Sequence, residues 1–188
     1  NGVDIRKYDL ESLRAQIGYV AQKAHMFKGS IRSNICFGKP EASEEEMVHA
    51  SSVAQASDFI SKRENGYLDE IAEDGTNISG GQKQRLSIAR VILKKPSLYI
   101  YDDSFSALDF KTDATLRKAL KPEVKDAIFF VVAQRISTIM DSDMIIVLDE
   151  GQIIGLGTHL ELLKNCSVYQ EIAHSQLTQK ELDDYERN

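Results

Sequence analysis

The run Leu98-Tyr99-Ile100-Tyr101, apolar at every position and closed by Asp102-Asp103, constrains this chain more than any other feature. A strand with one wet face alternates apolar and polar side chains, whereas a short continuous apolar run marks a strand buried on both faces. Two further runs, Ala127 to Ala133 and Asp143 to Leu148, read the same way. Helical stretches lie before and between them, from after Ser79 to about Lys94 and from Thr112 to Leu120. Strands alternating with helices predict an α/β fold with a largely parallel sheet. The 188 residues suffice for one domain with a substantial core.

Upstream, Leu10 to Arg14 reads as a helical turn and Ile17 to Val20 as a short strand leading to Gln22. A helix is predicted within Gly29–Asn34, with Ser30 as its cap. Ser43-Glu44-Glu45-Glu46 is a capping box that opens a helix expected to reach about Ile60. The stretch from Ile31 to Ile78 is expected to form a helical lobe. Downstream, Asp149-Glu150-Gly151-Gln152 signals a hairpin into Ile153–Leu156, and Leu160 to Leu163 opens another helix. From about Gln176 the chain is charged and reads as a frayed helix.

The net charge of -6 argues against nucleic acid as a partner, since such proteins present a basic face. The two cysteines, Cys36 and Cys166, lack metal-ligand spacing and are too few for a disulfide framework, which fits a reducing cytosolic compartment. The longest apolar run falls far short of the roughly 20 residues that span a bilayer.

Two segments carry chemistry. In Asn77-Ile78-Ser79-Gly80-Gly81-Gln82-Lys83-Gln84-Arg85, Ser79 can cap a helix whose first turn is glycine-rich. Backbone N–H groups could there approach an anion, aided by the helix dipole. A glycine-softened helix cap would have the same sequence. In the second segment, Asp102 and Asp103 close a buried strand at its carboxyl end, where open α/β sheets bind ligands. Adjacent acids repel unless a cation such as Mg²⁺ compensates them. Asp102 is therefore a candidate metal-site residue and Asp103 a candidate base for an attacking water. A strand that simply ends in a polar turn is the alternative.

Taken together, these segments resemble the signature motif and Walker B strand of the ATP-binding cassettes of ABC transporters. Ser106-Ala107-Leu108-Asp109 is similar to the family's D-loop, and Gln22 sits like its Q-loop glutamine. Phe27–Ile35 and Glu73-Asp74-Gly75 resemble segments of exporter-type cassettes, the latter their X-loop. Ala133–Ile139, with Gln134, matches the switch-loop region. The resemblance covers about residues 1–170 and implies a P-loop NTPase (ABC ATPase) core with a helical subdomain inserted at about 31–90, followed by a tail over 171–188. It implies ATP and Mg²⁺ as cofactors, and hydrolysis that powers export across a membrane. The implied partners are a second cassette and transmembrane domains, at the cytoplasmic face of the cell membrane. Gln22 would sense the γ-phosphate and Mg²⁺, Asp102 would hold Mg²⁺, and Asp103 would polarise water. Ser79, Gly80, Gly81 and Gln82 would contact nucleotide bound by the partner cassette, and Asp109 would couple the two sites.

Three departures from the pattern shape the expectation. No Gly-x-x-x-x-Gly-Lys-Ser/Thr phosphate loop occurs in the 188 residues. The family's loop and its strand precede the segment that starts at Asn1, so the chain reads as truncated in front, its sheet gapped, rearranged or completed by another chain, and its isolated ATP binding very weak. Asp103 stands where glutamate is usual, shorter by roughly 1.5 Å, and Gln134 stands where the switch histidine is usual. Both weaken this chain's own site while leaving the signature sound, the pattern of one half of a heterodimeric exporter. A soluble ABC protein and a non-catalytic ATP clamp are the alternative readings. His25 and His159 are expected only in a surface loop and a cap region.

Overall fold

The computed structural model describes residues 2–178, in two units, 1–132 and 133–188. In the first unit, α1 (Leu10–Ala15) leads into β1 (Ile17–Val20). Then come β2 (Gly29–Ser30), α2 (Ile31–Ile35), α3 (Glu44–Val53), α4 (Ser57–Ile60) and β3 (Glu70–Ile71). The long helix α5 (Gly80–Lys94) precedes β4 (Leu98–Asp102), α6 (Phe110–Glu123) and β5 (Ile128–Val132). The second unit holds α7 (Ile136–Ile139), the strands β6 (Ile145–Asp149) and β7 (Gln152–Gly157), and the helices α8 (His159–Asn165) and α9 (Ser167–Gln176).

The expected α/β architecture is present. β1, β4 and β5 form a parallel sheet in that order, with Val20 beside Tyr101 and Tyr101 beside Val131. β6 and β7 pair with each other, antiparallel, as the hairpin signal predicted. The β2–β3 pairing, which joins the segment just before the expected helical lobe to a strand inside it, carried no sequence signal, being only two residues per strand.

Helix α5 organises the first core. Its Leu86, Ile88, Ala89, Ile92 and Leu93 are all at most 1% exposed, and they join Tyr99, Tyr101 and Leu116 in one apolar cluster. Polar groups fix its register against β1. The Gln84 amide donates to the Ala21 carbonyl at 3.1 Å, and the Lys94 ammonium donates to the carbonyls of Arg14 and Ile17. Gly18 allows this approach, because a Cβ there would lie 2.4 Å from Val91 Cγ1.

Helix α3 begins with the predicted Ser43–Glu46 capping box but ends at Val53, short of the expected Ile60. Gln55 takes a left-handed φ of 57°, and its carbonyl accepts from the Arg85 guanidinium at 2.7 Å. That guanidinium lies over the Phe59 ring of α4, so tertiary contacts reward the break. The expectation of strands buried on both faces is also corrected. Tyr99 and Tyr101 are buried, but Ile128, Phe130 and Val132 of β5 are 68, 49 and 45% exposed. No described element of the first unit covers that face. The tail expected over 171–188 falls on the end of α9 as far as Gln176, and from 179 onward it lies outside the described residues.

The second unit has its own core of Ile136, Ile145, Val147, Leu162, Cys166, Tyr169 and Ala173. His159, expected as a cap-region residue, is 3% exposed. The cap is Thr158, in a capping box with Glu161, while His159 Nδ1 shares a 2.7 Å hydrogen bond with the Tyr169 hydroxyl. Burial lowers the His159 pKa, and the nearby Asp141 opposes that shift.

Candidate active site

Parallel pairing of β1 with β4 brings their carboxyl ends side by side, so Gln22 and the two aspartates meet. Gln22 Nε2 donates to Asp103 Oδ2 at 3.2 Å. Beside it the Tyr19 hydroxyl donates to Asp102 Oδ2 at 2.9 Å, a bond that raises the Tyr19 pKa and keeps the phenol a donor. The turn that follows is pinned on both sides. Asp103 N donates to the Val132 carbonyl at 2.9 Å, and Ser104 Oγ donates to the Val20 carbonyl at 2.9 Å. Asp103 is 8% exposed and has a φ of 44°, a left-handed backbone that Asp adopts more readily than most residues.

A second group surrounds the start of α5. Ser79 Oγ accepts from Gln82 N, and Gln82 Oε1 accepts from Ser79 N at 3.0 Å, so Gln82 closes a capping box. Gly80 is exposed at the helix start and Gly81 is half-buried. A Cβ at Gly81 would lie 3.3 Å from the Ala107 carbonyl oxygen, so the glycine turn and the 106–109 loop are in close contact. Asp109 caps α6 by accepting from Thr112 N and Oγ1, bonds that hold its carboxyl below the usual range. Arg85, with its pKa lowered by burial and partly restored by Asp109, donates to the Gly81 carbonyl from within the same helix.

Gln134 is exposed and lies in the second unit, where its backbone carbonyl accepts from Gln176 Nε2 at 2.9 Å. The sequence-predicted residues of the first unit thus form two neighbouring groups, Gln22 with Asp102 and Asp103, and Ser79–Gln82 with Asp109. Reading the sequence missed Tyr19, Gln84 and Ser104, which hold these groups. Only the strand register could have pointed to Tyr19. The Ser79-x-x-Gln82 spacing is itself a capping-box signal.

The residues fit Mg²⁺ in a limited sense. Among the described residues no cluster of three or more His, Cys, Asp or Glu side chains could hold a metal. Mg²⁺, however, keeps several waters and is bound through one or two carboxylates together with substrate phosphates. Asp102 at the end of β4 and the Gln22 amide, bonded to the adjacent Asp103, would be the groups available to such an ion.

The α/β fold with its parallel sheet agrees with comparison with known proteins. A family model described as ABC transporter matches residues 1–106, more than half of the chain, which therefore belongs to that family. YgaD of Bacillus subtilis, named as a candidate multidrug export ATP-binding/permease protein, is 45% identical over 172 residues, 92% of this chain and 30% of YgaD. Heavy metal tolerance factor 1 of Caenorhabditis elegans is 41% identical over 180 residues, 96% of this chain and 22% of that protein. A solved structure, a bacterial Atm1-family ABC exporter with ATP bound, superposes with a TM-score of 0.89 at 36% identity over 95% of this chain and 31% of that one. The chain thus spans about a third or less of the length of these relatives. Among the described residues no helix is long and apolar enough to cross a membrane.

Proposed function

We propose that this chain forms the cassette, over about residues 1–170, of an exporter that hydrolyses Mg-ATP at the cytoplasmic face of a membrane. The observation that carries the reading is the convergence of Gln22 on Asp103, with Asp102 beside it, at the carboxyl ends of β1 and β4. The similarity to a solved ABC exporter supports the direction of transport.

Asp102 would hold Mg²⁺ with the Gln22 side chain. The cation, when bound, neutralises charge on the transferring phosphoryl group. Asp103 would accept a hydrogen bond from the attacking water and orient it in line, since catalysis of this kind is mostly positioning and charge stabilisation. Gln22 already engages the Asp103 carboxylate, which suits it to report the state of the site to transmembrane domains. Ser79, Gly80, Gly81 and Gln82 would meet the phosphates of nucleotide held by a second cassette. Asp109, in the loop against which Gly81 packs, would couple the two sites.

Asp103 makes this chain's own site slow, Gln134 in the second unit is the other departure from the family's pattern, and the signature completes a competent site in a different partner cassette. A displacement of about 1 Å can cost on the order of 100-fold in rate, and glutamine cannot take up charge as histidine does. The test is the ATPase activity of the full-length gene product purified without a partner, beside an Asp103→Glu, Gln134→His double variant. Near-zero activity restored by the double variant supports a degenerate half-site. Robust wild-type activity refutes it in favour of a homodimer. No activity in either protein leaves a non-catalytic ATP clamp as the better reading.

A further inference from the structure

The carboxylate assigned to Mg²⁺ is itself held in place. In the β1–β4 register Tyr19 stands beside Ile100, and Val20 beside Tyr101. Side chains two apart on a strand share a face, so Ile100 and Asp102 project together, opposite Tyr101. Val20 and Tyr101 are buried on the core face while Tyr19 is 54% exposed on the other. Tyr19 thus lies on the Asp102 face, one residue pair back from the strand end. A tyrosine is long enough to pass Ile100, and its hydroxyl meets Asp102 Oδ2 at 2.9 Å.

We propose that Tyr19 is a positioning residue for the divalent cation, fixing the plane of the Asp102 carboxylate so that its other oxygen faces the metal or a metal-bound water. This rests on the assignment of Asp102 to the metal site. A terminal carboxylate torsion has broad, shallow preferences, so one hydrogen bond is enough to choose among its orientations. The hydroxyl occupies Oδ2, and an ionised carboxylate has a second oxygen to offer. Partners that orient a ligand in this way typically govern about 10–100-fold in metal affinity. A phenylalanine would keep the ring and its contacts and remove only the donor.

The test uses the full-length protein with Mn²⁺ as the probe, followed by electron paramagnetic resonance at a fixed ATP level with protein in excess. ATP binding in EDTA is measured in parallel. Tyr19→Phe is expected to raise the Mn²⁺ half-saturation by about 10-fold or more, with metal-free ATP binding unchanged. Asp102→Asn is expected to remove the Mn²⁺ signal. If Asp102→Asn removes it and Tyr19→Phe stays within about two-fold of wild type, Tyr19 does not position the ligand. Equal weakening of Mn²⁺ and of metal-free ATP binding by Tyr19→Phe would also overturn the proposal, because it would mean a general structural role. If Asp102→Asn leaves Mn²⁺ binding intact, the metal assignment of Asp102 fails and the proposal fails with it.

Discussion

Gly80 is a position where stability and function should pull in opposite directions. It is the first residue of α5, exposed, with helical backbone, and a Cβ built there meets nothing within 4 Å. Nothing in the fold therefore requires glycine. In a helix interior glycine is destabilising by roughly 0.5–1 kcal/mol relative to alanine, and replacing it at a compatible site stabilises by about 0.4–1 kcal/mol. At the first turn the lower end of that range applies. For a chain of this size about 0.5 kcal/mol corresponds to a rise in Tm of ~1–2 °C. The activity should move the other way. The added methyl group stands where the first N–H groups of α5 would meet the partner's nucleotide, and a displacement of about 1 Å can cost on the order of 100-fold. Gly81→Ala is the internal control. Its Cβ would press on the Ala107 carbonyl at 3.3 Å, which offsets the gain and leaves stability near wild type. Thermal unfolding of both variants, with the ATPase rate of the full-length transporter, checks the reasoning. A Gly80→Ala protein that loses more than about 1 kcal/mol would show that the glycine serves the fold. One that keeps wild-type turnover would show that nothing approaches there.

Tyr101→Phe should be neutral or stabilising by up to about 1 kcal/mol in urea unfolding, since the hydroxyl is buried without a hydrogen-bond partner. Burial raises the Tyr101 pKa strongly, so no phenolate contributes near neutral pH. Gly18→Ala should destabilise by about 1–3 kcal/mol in the same assay, because its Cβ would collide with Val91 and with Pro96 at 2.7 Å. In the second unit the lowered His159 pKa means that the unfolded state takes up a proton first. Stability is thus fully present above the unfolded value of about 6.5 and is lost as pH falls below it. Thermal scans between pH 7.5 and about 5 should show that decline, and His159→Gln should flatten it while lowering the pH 7.5 midpoint.

The sequence made the site legible wherever local pattern and physical cause coincide. The apolar run ending in Asp102-Asp103 became β4, the Ser43–Glu46 box capped α3, and Ser79 capped α5. Pairing was less legible, because it depends on partners distant in the chain. The two-residue strands β2 and β3 have too few side chains for a period. The break after Val53 depends on Arg85, thirty-two positions further on, and no local propensity announces it. His159 lies in the cap region as expected, directly after the N-cap Thr158, but its burial against Tyr169 had no local signal. Tyr19 could be linked to Asp102 only once the β1–β4 register was known.

The same backbone geometry bears on what restoring a glutamate at position 103 should do. The left-handed φ of 44° at Asp103 is imposed from outside the residue, by its N–H bond to Val132 and by Ser104 holding Val20. A glutamate would inherit that φ, which for most side chains costs roughly 1–2 kcal/mol and is relieved for Asp by local hydrogen bonding. Its carboxylate would reach about 1.5 Å further. If the short reach of Asp103 is what slows the site by about 100-fold, the extension is worth ~2.7 kcal/mol in the barrier. The strain lies in the folded state before and after the chemical step, so it subtracts from stability and leaves the barrier alone. Asp103→Glu should therefore be a less stable and faster protein, and a variant that lost stability without gaining rate would mean that reach is not what Asp103 lacks.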